Sequence, residues 1–239
     1  MNILVTSGGT KVKLDEVRYI GNFSRGGFGA RIVTSFLDLF DRHQAQAPAT
    51  DHHVWHLHAE DARRPTRPSQ HYTSVTFDDY DDYAGELEHL LKNHDFALVF
   101  LAAAVSDYGP DQFFEGKIPS DEDELTIHLK RLPKLIRRVR GWSRNPDCIQ
   151  VGFKLLCGVS EEELVRVARE SGTRNGSDFT LANDSKSLLA GRHKVFLVRH
   201  PERGHEVEEF PVTTQERVDI LVRRIIELSG IEKRCALYS

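Results

Sequence analysis
The chain alternates short apolar runs with amphipathic stretches. Asn2 to Thr6 is an apolar run with no room for a helix cap before it, and it predicts a buried strand. Arg31 to Leu37 has the apolar spacing of a helix, and residues 42–51 read as a polar loop. Val54 to His58 predicts a short strand. Tyr72 to Phe77 predicts another, from alternating β-branched and aromatic residues. Tyr80 to His94 is amphipathic, with Tyr83, Leu87, Leu90 and Leu91 on one face. Phe96 to Ala104 is continuously apolar, as a central strand buried on both faces would be. Leu125 to Leu129 predicts a strand, and Pro133 opens a basic helix to about Arg140. Asp147 to Phe153 and Asp178 to Ala182 predict strands on either side of a helix from Glu161 to Glu170. Val195 to Arg199 and Glu206 to Val212 predict a closing pair of strands. Thr213 or Thr214 then caps a last helix to about Ser229.

This alternation predicts an α/β fold: three layers, Rossmann-like, with a mostly parallel sheet. The alternation breaks near 107–130 and 194–212, which suggests an appended antiparallel element suited to dimerisation. One domain spanning 1–239 is expected.

Composition narrows the function classes. The chain has 239 residues, 39% of them hydrophobic and 28% charged, enough for a sizeable core. A net charge of −4 gives no bulk electrostatic case for nucleic acid. No apolar run reaches the roughly 20 residues of a membrane span, and with a strand at the start of the sequence secretion is not expected. Cys148, Cys157 and Cys235 lack metal-type spacing, so a reduced, cytoplasmic protein is expected. His52, His53, His56 and His58 alternate around a strand and read as solvated or strand-edge side chains rather than metal ligands.

The candidate chemistry sits in loops after strands. Ser7-Gly8-Gly9-Thr10 follows the first strand, and Asn22 to Ala30 forms a second glycine-rich turn leading into a helix. That order suits a phosphate cradle. The spacing matches neither Gly-x-Gly-x-x-Gly nor a loop ending in Gly-Lys-Ser/Thr, so ordinary loop glycines are an equal reading. Asp107 follows the central strand, where ligands of open parallel sheets sit, though a turn cap would also use an Asp. Residues 109–124 form a long irregular stretch with one lysine, Lys117, among acids, and read as a mobile flap carrying a cation. Glu60 to Gln70, with Arg63, Arg64 and Arg67, is a basic loop that could meet phosphate but reads better as solvated.

Several stretches together resemble one family. Val5-Thr6-Ser7-Gly8-Gly9-Thr10, Val17-Arg18 and Asn22-Phe23-Ser24 resemble the opening of phosphopantothenate–cysteine ligases. Leu101 to Tyr108, Gly116-Lys117-Ile118, Leu132-Pro133-Lys134, Val151 to Leu156 and Leu181 to Ser185 resemble later signatures, in order. The similarity runs from residue 2 to about 229 and looks most like the stand-alone bacterial form, with no flavin-dependent decarboxylase fused to it.

The resemblance implies a reaction in coenzyme A synthesis. A nucleoside triphosphate, CTP before ATP and with Mg2+, activates 4'-phosphopantothenate as an acyl-nucleotidyl anhydride. Cysteine then attacks it. The resemblance implies Asn22 and Lys117 as catalytic groups. It implies nucleotide contacts from Gly8, Gly9, Thr10, Ala103, Asp107, Phe153, Lys154 and Asn183, and substrate contacts from Arg18, Asn22 and Ala104. Lys130 and Lys134 are further cation candidates. A homodimer is implied, with the partner shaping the pantothenate pocket. No flavin, resident metal site, nucleic acid or membrane is expected.

The chain departs from the family pattern at Arg25, where a small residue is usual, and keeps only the first lysine of the fused enzymes' lysine-rich flap, as other stand-alone ligases do. Two other readings stay open. An NAD(P)-dependent oxidoreductase would need Gly-x-x-x-Gly-x-Gly and Tyr-x-x-x-Lys, and neither is present. A non-catalytic nucleotide-binding protein would keep the fold without the chemistry.

Overall fold
The computed structural model describes residues 1–46, 51–121, 123–202 and 204–231. In chain order the elements are β1 (Asn2–Ser7), β2 (Lys11–Lys13), β3 (Tyr19–Gly21), α1 (Gly27–Gln46), β4 (His53–Ala59), β5 (Tyr72–Phe77) and α2 (Tyr80–Asn93). They continue with β6 (Phe96–Leu101), β7 (Tyr108–Pro110), β8 (Leu129–Arg131), a 3-10 turn (Leu135–Arg137) and α3 (Val139–Trp142). The last are β9 (Ile149–Leu156), α4 (Glu161–Asn175), β10 (Phe179–Asp184), α5 (Ser185–Leu189), β11 (Lys194–Arg199), β12 (Val207–Pro211) and α6 (Gln215–Ser229).

Eight strands form one sheet in the order β12-β11-β10-β9-β6-β1-β4-β5. Six are parallel; β11 and β12 close one edge antiparallel. The strand order reverses between β1 and β6, because the chain leaves β1 towards β4 and returns through α2 to β6. The carboxyl ends of β1 and β6 therefore bound the crevice where open α/β sheets bind ligands.

Alternation along the strands divides the core. Ile3, Val5, Leu98, Phe100, Phe179 and Leu181 face α1 and α6. Leu4, Val99 and Leu101 face α2 and α3. Leu164 and Ala168 of α4 pack on Ala182, Phe196 and Val198. This is the three-layer arrangement that the alternation predicts.

Several expectations need correction. α1 runs through residues 42–46, because Ala and Gln there favour helix and nothing breaks it. The central strand ends at Leu101, and Ala102 to Ala104 leave the sheet. Residues 125–128 are not a strand. The ladder forms only at Leu129–Arg131, where Tyr108–Pro110 provides a partner. After Pro133 the chain makes a 3-10 turn and then α3, not one helix. Strands β11 and β12 extend the main sheet, whereas β7–β8 stands apart as a hairpin beside the β2–β3 hairpin. Residues 47–50 of the expected loop, Glu122 and Cys235 lie outside the described residues. Among the described residues, no helix is long and apolar enough to cross a membrane.

Candidate active site
The floor of the crevice is laced shut by backbone. Beyond the strand ends, the Ala104 N–H donates to Gly8 O at 2.8 Å and the Thr10 N–H to Ala104 O at 3.1 Å. The Ala103 N–H donates to Thr6 Oγ1 at 3.1 Å, and the Ser106 N–H to Thr10 Oγ1 at 2.9 Å. Thr10 is fully buried with its hydroxyl against Ser106. Gly8 sits at φ +89°, and a Cβ there would lie 2.6 Å from the Ala59 Cβ. At Gly9 a Cβ would lie 2.4 Å from Asn22 O. Side chains are excluded at both positions because the protein packs on itself there.

Asn22 is set down on this floor. Its N–H donates to Thr10 O at 3.3 Å. Its side-chain Nδ2 donates to Ala104 O at 2.9 Å and to Ser106 Oγ at 3.3 Å. The residue is otherwise exposed. Two stretches more than 80 positions apart thus meet at one amide.

The amino end of α1 forms one wall. The Ala30 N–H donates to Gly26 O at 3.0 Å, so the N–H groups of Gly27, Phe28 and Gly29 have no acceptor within the helix. Gly26 takes φ +66°, and a Cβ at Gly29 would lie 2.5 Å from Ser7 Cβ, so the helix start is pressed onto β1. This end carries the positive pole of a 20-residue helix. Arg63 lies over it: its Cδ and Nη1 lie 3.6 and 3.7 Å from where a Gly27 Cβ would be, and its N–H donates to Arg25 O at 2.9 Å. The basic loop after β4 thus contributes to the wall. Its Arg67 instead pairs with Asp38 and Asp41.

Phe153 and Asn183 lie at the carboxyl ends of β9 and β10. Phe153 packs edge-on against Phe28 at 5.9 Å, and Phe28 in turn meets His193 at 5.3 Å. Asn183 falls on the same face as Leu181. Lys154 pairs in register with Ala182 and falls on the opposite face, towards α4. The pleat therefore separates Lys154 from Phe153.

The expected cations take different positions. Lys134 pairs with Asp107, both exposed. Lys130 reaches the Asp111 carbonyl at 3.5 Å. Lys117 is exposed and makes no ion pair among the described residues. Arg18 donates to Asp15 Oδ2 at 3.1 Å and to Ile118 O at 3.2 Å. Burial would raise the Asp15 carboxyl. Hydrogen bonds from the Ile118, Val17 and Arg18 N–H groups and the Arg18 charge outweigh that and hold it below the ordinary range.

Sequence reading missed Asp15, Phe28 and Ser106, and read the loop carrying Arg63 as solvated. Glycines flank Phe28, and Arg63 lies in a loop remote in sequence. Their roles depend on packing between distant segments.

The strand histidines are not solvated. His52, His56 and His58 are buried. His56 bridges Ser7 Oγ at 2.7 Å and Tyr72 OH at 3.1 Å. His58 Nδ1–H donates to Ala59 O at 2.8 Å and Nε2 accepts from Ser74 at 2.7 Å. Burial, with the nearby His58 and Arg64 charges, pushes His56 down to about 3. Burial, the terminal amine and His43 push His52 down to about 4. Among the described residues, no three His, Cys, Asp or Glu side chains are grouped to hold a metal.

The chain is similar to known proteins. A family model described as the DNA/pantothenate metabolism flavoprotein C-terminal domain matches residues 1–39 and 69–228. The coenzyme A biosynthesis bifunctional protein CoaBC of Thermococcus kodakarensis is 32% identical over 196 residues, covering 82% of this chain and 44% of that protein. The one from Methanocaldococcus jannaschii is 27% identical, covering 95% of this chain and 50% of that protein. The chain thus spans about half the length of these relatives. The phosphopantothenate–cysteine ligase CAB2 of Saccharomyces cerevisiae is 26% identical, with 87% and 73% covered. The structure of the DNA/pantothenate metabolism flavoprotein from Streptococcus pneumoniae superposes with a TM-score of 0.77 at 27% identity, covering 95% of this chain and 98% of that one. With most of its length matched by the family model, the chain belongs to the DNA/pantothenate metabolism flavoprotein C-terminal domain family.

Proposed function
We propose that this chain joins 4'-phosphopantothenate to cysteine at the expense of a nucleoside triphosphate. One observation carries the reading: Asn22 is fastened to Ala104 and Ser106, so the first loop and the loop after the central strand form one site. The family match supports it. The relative from yeast bears the ligase name.

The chemistry runs in two steps. A carboxylate oxygen of 4'-phosphopantothenate attacks the α-phosphorus of the nucleotide, and the bond to pyrophosphate breaks. The cysteine amine then attacks the acyl carbon, the carbon–oxygen bond to the nucleotide breaks, and the amine releases a proton. In the first step two anions approach each other, so cations must neutralise them. The α1 amino end, Arg63 and Lys117 supply that charge, and Asp107 with Lys134 borders the nucleotide. In the second step charge gathers on the acyl oxygen. The Asn22 amide faces it by giving up its longer bond, to Ser106, and keeping the one to Ala104. Mg2+ suits this donor set when carried in on the triphosphate, since it takes few protein ligands and many phosphate oxygens. When bound, it supplies further neutralisation of the phosphates.

Phe153 and Phe28 are placed to pack on the base, and Asn183 to bond it. CTP is proposed before ATP, on the resemblance of Gly152 to Leu156 to the stand-alone bacterial ligases. We also propose a homodimer. Val17, Tyr19, Phe23, Tyr108, Phe113 and Leu129 are exposed apolar residues on the two hairpins, and Phe23 is fully so. The hairpins abut, since a Cβ at Gly109 would lie 2.8 Å from Val12 Cγ1. A second copy would cover this face. A cytoplasmic location accords with Cys148 and Cys157 as free thiols.

The test is pyrophosphate release from 4'-phosphopantothenate, cysteine, Mg2+ and either CTP or ATP. Faster release with CTP is expected; none with either nucleotide would sink the reading.

A further inference from the structure
Asp15 takes no part in the chemistry above, yet it is only 1% exposed in the short turn between β2 and β3. Its carboxylate accepts four bonds. Oδ1 takes the N–H groups of Val17 at 2.8 Å and Arg18 at 2.6 Å. Oδ2 takes the Arg18 guanidinium at 3.1 Å and the Ile118 N–H at 3.0 Å. The first two bonds suffice for the turn, as an Asp in such a turn commonly bonds N–H groups just ahead of it. The bond to Ile118 reaches 103 positions along the chain and adds nothing to the turn.

That bond is one rung of a short ladder. The Phe114 N–H donates to Leu14 O and the Glu16 N–H to Gly116 O, both at 3.1 Å. Asp15 and Phe114 form a parallel bridge, and the Ile118 side chain is buried. Arg18 closes the ladder by spanning Asp15 and the Ile118 carbonyl. Lys117 lies between the bonded Gly116 carbonyl and the bonded Ile118 N–H. Its backbone is held while its side chain stays exposed. The stretch expected to be a mobile flap is thus docked at this segment as well as through β7 and Asp111.

We propose that Asp15 is a positioning residue for Lys117, latching residues 114–118 beside the first loop so that the lysine is held in place before the nucleotide arrives. The inference rests on the role given to Lys117 under Proposed function. A buried carboxylate with four donors is a strong grip, and Asn in its place would turn a donor either towards the Ile118 N–H and the Arg18 guanidinium or towards the Val17 and Arg18 N–H groups.

The experiment compares wild type with Asp15→Asn, Lys117→Gln and the double variant. It measures hydrogen exchange of the 112–120 segment in the unliganded protein and the rate of pyrophosphate release. Asp15→Asn should deprotect the segment and lower kcat on the order of 10- to 100-fold, the scale of a misplaced group, with the KM for cysteine unchanged. In the Lys117→Gln background the same change should add little. Ile118→Ala leaves the turn intact and should also deprotect the segment, which covers the case in which Asp15→Asn does not fold. Unchanged exchange in both variants, or a full extra loss of rate in the double variant, would overturn the inference. If wild type releases no pyrophosphate the ligase reading fails, while the exchange data still decide whether Asp15 latches the segment.

Discussion
The floor of the site and the two hairpins above it are held by different physics. In the floor, glycines, Thr10 and Ser106 interlock, and the space for a single methyl group is missing at Gly8, Gly9 and Gly29. The hairpins have three-residue strands, exposed apolar side chains and a few polar fasteners. Those fasteners are Asp15 with its four bonds, Lys11 with Asp78 and Lys13 with Asp79. The floor is thus fixed by exclusion and the arms by charge. Where a site must receive a large substrate, only the second kind of element can adjust without unfolding the first.

The comparison breaks most sharply at Gly9. Gly9→Ala forces Asn22 off the floor, and because its neighbour is backbone, little can yield. The expected cost is on the order of 2 to 4 kcal/mol, read as a lowered urea midpoint with loss of activity. Gly85→Ala, inside α2 where a Cβ meets nothing within 4 Å, should leave activity unchanged and raise stability by about 0.5 to 1 kcal/mol.

Acid tests the floor from beneath, through His56, which bonds Ser7, and through His52 beside the amino terminus. His56 has its folded pKa depressed to about 3 and His52 to about 4. A depressed histidine is neutral when folded and takes up a proton only on unfolding. Its contribution is therefore complete above about pH 6.5 and is lost as pH falls below that value. Stability should drop by about 1.4 kcal/mol per pH unit for each such histidine between roughly pH 6 and 4. Denaturant titrations across that range measure it. A flat profile would mean that these histidines are not buried neutral.

Smaller effects sharpen the contrast at the rim. Arg63→Ala should raise the nucleotide KM about five-fold, as for loss of one charge-assisted contact of roughly 1 kcal/mol, with kcat little changed. Arg67→Ala, whose partners are Asp38 and Asp41, should leave KM where it was. Phe23→Ser should scarcely alter the melting temperature but should shift sedimentation towards the monomer; an unchanged oligomeric state would remove this face from the interface.

What was legible in the sequence follows the same division. β1, β5, α2 and α6 appear within a residue or so of their patterned limits because each buries a regular face. The family signatures are what point to Asn22, Lys117 and Phe153, whose roles are proposed above. Strand periodicity alone could also have separated Lys154 from Phe153. The histidines misled because a polar residue reads as solvent-facing, whereas β4 lies inside the sheet and satisfies His56 and His58 with Ser7, Tyr72 and Ser74. Residues 125–128 looked like a strand but, among the described residues, no strand pairs with them. Asp15 was invisible because an acid in a turn looks alike whether or not a distant N–H binds it.

Asn22→Asp tests the central claim most directly. The variant keeps the shape of the side chain but replaces the donor with a carboxylate oxygen. Mixed with 4'-phosphopantothenate, CTP, Mg2+ and cysteine, it should still release pyrophosphate in a first burst close to the enzyme concentration. The dipeptide-like product should then form on the order of 100-fold more slowly, the cost of losing one such donor. Product formation at the wild-type rate would contradict the account.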